Sequence, residues 1–310
     1  MRIGIIDLGT NSARLDVYNV EKKEKPERIH REKQMVRLGQ GLFDRGEIDP
    51  RAIGRTISVF EDFEETLEEL EVAKTIAFAT SALRDAPNRN LIIQKIEEVS
   101  GIRLKVISGN EEARLIAQGI LKREKLPSGN FALIDIGGGS TEISLCRGAE
   151  ILFSSSLNLG ALRLQQQFLK ESPPRSTRDQ PDPVGAFRDH VRKNLIPVLE
   201  KEQRFKKCEI ALGSSGTIRA IKKILKKTFN EDNDFKRKSL RRMIESLLPL
   251  NYRQIENFPG MDEKRKDIIL SGALLLDEIL EVLEIKEVLV TEFSLREGML
   301  DEILEKLALT

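Results

Sequence analysis

FALIDIGGGSTEISLCRG at 131–148 restates IGIIDLGTNSARLDVYNV at 3–20. Each stretch is an apolar run reaching an aspartate, then one apolar residue, a glycine, a polar or glycine turn, a serine, and a run in which apolar and polar residues alternate. An apolar run stopped by glycine reads as a buried strand, and the alternating run as its hairpin partner. The two aspartates, Asp7 and Asp135, stand 128 positions apart (135 − 7). Two copies of one strand–turn–strand element, each opening a half of alternating strands and helices, predict a duplicated two-domain α/β protein with a cleft between the halves.

The intervening sequence supports that division. Asp49-Pro50 sets a capping acid before a proline at the first helical position and predicts a helix to about Glu71. A strand at 74–80, a helix at 88–100 closed by Gly101, a strand at 102–107 and a helix from Asn110 to about Arg123 follow. LPSGN at 126–130 reads as a linker, so domains are expected at 1–125 and 126–310, with a closing helix, about 297–310, able to pack back onto the first. The proline-rich stretch 171–190 predicts an exposed loop. After it come a helix to about Phe205, a strand at 208–213, helices over most of 217–283, a strand at 286–291 and the last helix from about Leu295.

Composition narrows the class. The 310 residues are 40% hydrophobic and 33% charged, with a net charge of only +1. Bulk charge therefore demands neither a nucleic-acid polymer nor an acidic membrane surface as partner. Two distant histidines, His30 and His190, exclude a histidine-rich metal centre. Cys146 and Cys208 lack Cys-x-x-Cys spacing and read as buried thiols in a reducing compartment. The N-terminus carries Asp7 inside its apolar run, and no stretch approaches the roughly 20 apolar residues that span a bilayer. A soluble cytoplasmic protein, monomer or homodimer, is expected.

The chemistry concentrates in three turns. Turn one is Asp7-Leu8-Gly9-Thr10-Asn11-Ser12, and turn two is Asp135-Ile136-Gly137-Gly138-Gly139-Ser140-Thr141, followed by Glu142. Glycines let the backbone approach a ligand, so that consecutive N–H groups point at one phosphate oxygen. Hydroxyls of Thr10, Ser12, Ser140 and Thr141 add donors, and Asp7, Asp135 and Glu142 offer oxygen ligands for Mg²⁺. Turn one alone reads equally well as an ordinary hairpin; its repetition as GGGST favours function. The third turn, Gly213-Ser214-Ser215-Gly216-Thr217, joins a strand to a helix whose N-terminus suits an anion, or is a plain connection with Thr217 as cap.

Glu111 and Glu112 open the helix after Asn110. Acids there complement the helix dipole in any protein, but Glu112 shares the apolar stripe of Ile116 and Ile120, whereas Glu111 lines up with Gln118 and Lys122. Glu112 is thereby directed inward, where a desolvated carboxylate can serve as a general base. Arg14, Arg84 and Arg265 are candidate phosphate clamps, with Arg84, just past a strand end, the best placed. Arg219, Lys222, Lys223, Lys226 and Lys227 share one helix side and read most simply as a solvated face.

Taken in order, IGIIDLGTNSARLDV, MVRLGQGLFDRGEI, AFATSALRDAPN, VISGNEEARLIAQGI, ALIDIGGGSTEISL, SLNLGALRL, LGSSGTIRAI, FPGMDEKRKDIILSGA and FSLREGML resemble the successive signatures of the exopolyphosphatase/guanosine pentaphosphate phosphohydrolase (Ppx/GppA) family over nearly the whole chain. The resemblance implies two ribonuclease-H-like domains of the actin/hsp70/sugar-kinase superfold in the short, two-domain form. It puts Glu112 in the place of the catalytic base and Asp135 and Glu142 in those of the Mg²⁺-associated acids, and makes the three turns phosphate-binding loops. It implies release of terminal phosphate from inorganic polyphosphate or guanosine pentaphosphate, with Mg²⁺ as cofactor, Mn²⁺ as its substitute and a monovalent cation allowed. The rivals are an ATP-dependent kinase or ATPase of the same superfold, which NEEAR and ATSALRDAP disfavour, and a non-catalytic polyphosphate or alarmone sensor, which has no need of Glu112, Asp135 and Glu142.

Overall fold

The computed structural model describes residues 1–21, 24–170, 182–202, 204–205, 208–231 and 234–308. They fall into two compact units, Met1–Ser108 and Gly109–Thr310.

In the first unit, Arg2–Leu8 (β1) pairs antiparallel with Ala13–Asn19 (β2) because the turn between them closes on itself, the Gly9 N–H donating to the Ser12 carbonyl at 3.0 Å. Glu27–Gln34 (β3) adds to β2. Its sequence, ERIHREKQ, has no apolar alternation because it is an edge strand, where charge guards against pairing with another chain. Leu42–Arg45 (α1) and Pro50–Glu69 (α2) follow; the Asp49 side chain caps α2 by accepting from the Arg51 N–H at 2.9 Å. Lys74–Ala79 (β4), Ser81–Asp85 (α3), Arg89–Ser100 (α4) and Leu104–Val106 (β5) complete the unit, with Gly101 ending α4 in the left-handed conformation. The sheet order is β3-β2-β1-β4-β5, antiparallel through β1 and parallel beyond it. One face buries Ile6, Leu8, Leu15 and Val17 against Phe60, Phe63, Ile92 and Ile96 of α2 and α4.

The second unit begins with Gly109–Leu121 (α5), then Asn130–Ile136 (β6), Thr141–Arg147 (β7) and Glu150–Leu157 (β8). Ala161–Phe168 (α6), Pro183–Leu199 (α7), Ile210–Ser214 (β9) and Ser215–Phe229 (α8) come next. Phe235–Lys236 (β10), Arg237–Leu247 (α9), Tyr252–Glu256 (α10), Ile269–Val282 (α11), Glu287–Val290 (β11) and Leu295–Ala308 (α12) close it. Its sheet order, β10-β11-β9-β6-β7-β8, repeats the first with one added strand: β6 to β9 and β11 stand for β1 to β4 and β5 in the same senses. The register break between Val17 and Tyr18 recurs between Leu145 and Cys146, at the same offset of 128 (145 − 17). Each unit is ribonuclease-H-like, and the pair is the duplicated α/β architecture of the actin/hsp70/sugar-kinase superfold.

Two differences from the sequence reading have clear causes. The loop expected at 171–190 lies outside the described residues only through 181; from Pro183 the chain is helical, because Asp182-Pro183 repeats the Asp-Pro start of α2 and the Asp182 side chain accepts from the Val184 N–H at 3.0 Å. The compact division falls at Ser108/Gly109, so α5 groups with the second unit, where it packs along α12 and over β7 and β8. Both cysteines are buried, which pushes the Cys146 thiol up to about 12 and the Cys208 thiol to about 11. Among the described residues no helix is long and apolar enough to cross a membrane.

Candidate active site

Turn two is shaped from behind by α6. The N–H groups of Ala161 and Leu162 donate to the carbonyls of Gly137 and Gly138 at 3.0 and 2.9 Å, and Arg163 Nε donates to the Gly139 carbonyl at 2.7 Å. These bonds satisfy the open N-terminus of α6. They also fix three successive peptide planes. In a trans peptide the N–H points opposite the carbonyl, so the N–H groups of Gly138, Gly139 and Ser140 face away from α6 together, as an anion-binding concavity requires. Gly160 makes the approach possible: a Cβ there would lie 2.4 Å from the Gly138 carbonyl oxygen and the Gly139 carbonyl carbon, which are backbone and cannot move aside. Gly160→Ala is expected to displace turn two and cut kcat/KM by at least about 100-fold; a steady-state assay with normal values would show the turn is not held this way.

The hydroxyls of turn two do different work from that expected. Thr141 Oγ1 donates inward to the Leu159 carbonyl, and the Ser140 side chain bonds Glu142. Both hydroxyls have an acceptor within the protein in this arrangement.

The acids lie on one rung of the second sheet. Asp135 is opposite Glu142 on β7 and beside Ser214 on β9, and Glu142 is opposite Ser156 on β8, whose hydroxyl donates to Glu142 Oε1 at 2.7 Å. Glu112, from the first turn of α5, is buried with them. Burial holds the Glu142 carboxyl well above the usual carboxylate range, and the charges of Glu112 and Asp135 push it further the same way, against the Ser156 and Ser140 hydrogen bonds. Glu112, Asp135 and Glu142, singled out from sequence, are thus brought together. Glu111 is more open than Glu112, as its spacing predicts.

The sign of a pH effect follows. The unfolded chain releases the Glu142 proton near the ordinary value of 4.5 while the folded protein retains it. Stability of the metal-free protein therefore falls as pH rises from there through the raised folded pKa. Glu142→Gln keeps the acceptor for Ser156 and removes the charge. Metal-free melting curves should show a higher Tm for the variant at pH 7 and a flatter Tm-against-pH profile between pH 5 and 8; parallel profiles would contradict the electrostatic cluster.

The third turn is a strained strand-to-helix junction. Ser215 has φ 90, in the region that favours glycine. Its hydroxyl accepts from the N–H groups of Thr217 and Ile218 at 3.1 and 3.2 Å, so Ser215 caps α8 rather than Thr217. The Arg265 guanidinium lies over Gly216, where a Cβ would sit 1.9 Å from Nη2. Ser214 donates to the Phe293 carbonyl at 2.9 Å and is a structural donor. Ser271 Oγ donates to the Ala161 carbonyl at 2.6 Å, and a Cβ at Gly272 would lie 2.4 Å from Thr217 Cγ2, so α11 joins the starts of α6 and α8. Arg265 and the 213–217 turn are therefore brought together in the second unit.

Turn one is braced similarly. The N–H groups of Gly39 and Arg37 donate to the carbonyls of Thr10 and Asn11 at 2.8 and 2.9 Å, which turns the N–H groups of Asn11 and Ser12 the opposite way. Arg37 takes φ 50 to do so. Asp7, however, lies 3.5 Å from Arg14, its cross-strand neighbour, so the first copy of the acid has a cation where the second has Glu142. Arg84 Nη1 donates to the Ile107 carbonyl at 3.2 Å. Gly160, Arg163, Arg37 and Ser156 escaped the sequence reading as site residues. All four lie in MVRLGQGL and SLNLGALRL, and strand register is what sets Ser156, the first residue of the second motif, opposite Glu142.

Among the described residues, no group of three or more His, Cys, Asp or Glu side chains is placed to hold a metal ion by itself. The two acids Asp135 and Glu142 still suit a hard divalent ion, which takes few protein ligands and completes its shell with phosphate and water.

Glycine turns with outward amides beside buried carboxylates, on a duplicated ribonuclease-H-like scaffold, define an enzyme that handles phosphoryl groups. The profile of the Ppx/GppA phosphatase family matches residues 17–307, and the chain belongs to that family. Exopolyphosphatase 2 of Mycobacterium tuberculosis is 30% identical over 319 residues, spanning 96% of this chain and 97% of the relative. Exopolyphosphatase 1 of the same organism is 28% identical, spanning 97% and 87%. An exopolyphosphatase structure from Cytophaga hutchinsonii matches with a TM-score of 0.87 at 26% identity, over 99% of this chain and 98% of that one. The Aquifex aeolicus Ppx/GppA enzyme matches at 0.75 and 25%, over 97% and 98%. The protein is a hydrolase acting on phosphoric anhydrides.

Proposed function

We propose that the chain is an exopolyphosphatase that releases terminal orthophosphate from inorganic polyphosphate, and that it also converts guanosine pentaphosphate to the tetraphosphate. The observation that carries this is the buried Glu112–Glu142–Asp135 cluster beside the carbonyl-pinned turn 137–140. Relatives that this chain matches over nearly their full length bear the name exopolyphosphatase.

In this reading Asp135 and Glu142 would hold a divalent cation, Mg²⁺ by their all-oxygen chemistry, and the ion would offset their mutual repulsion and supply positive charge against phosphoryl oxygens. The N–H groups of Gly138, Gly139 and Ser140 hold the equatorial oxygens of the terminal phosphoryl group. Glu112 orients a water in line with the scissile bond and takes its proton as the P–O bond to the leaving phosphate breaks. Arg265, held over the N-terminus of α8, balances charge on the leaving phosphate chain. Phosphoryl transfer asks chiefly for positioning and charge balance, and these groups supply both. Exo-cleavage predicts orthophosphate as the sole small product of long polyphosphate, with activity lost in EDTA and restored by Mg²⁺. Accumulation of mid-length fragments, or undiminished activity in EDTA, would overturn the proposal.

A further inference from the structure

Residues 215–247, which span α8 to α9, hold ten Lys and Arg against four Asp and Glu, a surplus of six (10 − 4) in a chain whose net charge is +1. Positive charge is therefore concentrated in one segment of the second unit. Helix α8 itself, SGTIRAIKKILKKTF, has no acid. Its Arg219, Lys222, Lys223, Lys226 and Lys227 recur at helical spacing on one side, while Ile221, Ile224 and Leu225 are buried on the other. Spacing alone makes such a row a solvated face, and most surface lysines of that kind find an acid nearby. These do not. Arg219 has Glu292 at 3.7 Å, but Lys222, Lys223, Lys226 and Lys227 form no ion pair among the described residues, and the last three are exposed.

Helix α9 divides its charges. Arg237 and Arg241 turn to Asp277 and Glu281 of α11. Arg242 instead lies over the ring of Phe229, the last residue of α8, at 4.7 Å from its centre, and so extends the cationic row past the end of that helix. The other end of the row starts at the acids. Ser214, the residue before α8, is the register partner of Asp135, and Arg265 lies over Gly216 in the first turn. From that turn to Lys227 the helix covers about 18 Å at 1.5 Å per residue.

We infer that this face of α8, with Arg242 at its end, is a docking surface for the part of a long polyphosphate chain that is not being cleaved. The inference rests on the proposed polyphosphatase reading and adds a second contact on the same substrate. A linear polyanion meets charges set in a row, and each phosphate that a lysine neutralises sheds bound counter-ions, which favours association at low salt. Lysines without an acid partner have no internal ion pair to break first. Compact, mobile ammonium groups also suit phosphates that present oxygens in several directions. A chain of only a few phosphates ends before it reaches the far end of the row and gains little from it.

The test combines Lys222→Gln, Lys223→Gln, Lys226→Gln and Lys227→Gln in one protein. A second protein loses the same charge elsewhere, through Lys25→Gln, Lys74→Gln, Lys95→Gln and Lys201→Gln, all at exposed positions. Steady-state kinetics are measured on long-chain polyphosphate and on tripolyphosphate, and binding of the long chain is measured in EDTA. Expected for the α8 protein is a long-chain KM raised about tenfold or more, with kcat within about twofold and a shallower dependence of KM on salt. Its tripolyphosphate kinetics, and all values of the second protein, should match the parent. An unchanged long-chain KM overturns the inference, as does an equal rise for tripolyphosphate or in the second protein. So does a single-stranded oligodeoxynucleotide of equal phosphate count that displaces the long chain from the parent as well as polyphosphate does, which would assign the surface to nucleic acid. Absence of phosphate release by the parent would instead overturn the proposed function, and the binding comparison in EDTA would still decide whether α8 holds the chain.

Discussion

Glu112→Gln is expected to lower turnover by about 10³-fold while leaving polyphosphate affinity within a few-fold. Glutamine matches the shape of the side chain and can still hold a water, but it cannot accept the proton. The side chain is buried on the first turn of α5, beside Glu142, so no bulk-solvent carboxylate can substitute. Removing one of three mutually repelling acids also lowers the local negative charge. The variant should bind an anionic substrate at least as well as the parent and melt no lower when metal-free. Single-turnover phosphate release together with direct polyphosphate binding separates the two effects. Near-parental turnover would remove Glu112 from the role of base.

The second large effect is expected at a position with no chemistry. A Cβ at Gly298 of α12 would lie 1.9 Å from the Leu115 carbonyl oxygen, and one at Gly119 of α5 would lie 2.4 Å from the Gly298 backbone nitrogen. The two helices touch backbone to backbone, and neither contact involves a side chain that could swing away. Gly298→Ala must part the helices or bend one, at a cost of about 3 kcal/mol or more. Because Glu112 opens α5, the same displacement should reduce kcat. The ion pairs fringing this crossing, Arg123–Asp301 at 2.7 Å, Arg114–Glu302 at 2.8 Å and Lys122–Glu305 at 2.8 Å, are partly exposed and contribute far less. Arg114→Ala should therefore cost under about 1 kcal/mol. Thermal melts and kcat of both variants check the contrast; a Gly298→Ala protein as stable as Arg114→Ala would show that the close approach is unimportant.

What the sequence made legible was whatever has a local signature. The paired Asp-Gly hairpins announced the duplication, down to a shared offset that the register break at Val17 and Leu145 repeats. The inward aim of Glu112 followed from helical spacing. Features set by tertiary contact were hidden. The edge strand β3 is too polar to read as a strand. Thr141, Ser140 and Ser214 looked like phosphate donors because a hydroxyl in a glycine turn is chemically ready for that task. Only the positions of Leu159, Glu142 and Phe293 show where those protons go. The left-handed Ser215 was equally hidden, since nothing in the residue type favours that conformation. Asp7 and Asp135 are alike in sequence and differ in environment, because residue 14 is arginine and residue 142 is glutamate.

The most direct measurement is a side-by-side assay of orthophosphate release from long-chain polyphosphate, guanosine pentaphosphate and ATP, with and without Mg²⁺, for the parent protein and Glu112→Gln. Mg²⁺-dependent release from polyphosphate and guanosine pentaphosphate, little from ATP, and near-complete loss on substitution is the predicted result. Release from ATP alone, or release that survives loss of the glutamate, would contradict an anhydride phosphatase built around that carboxylate.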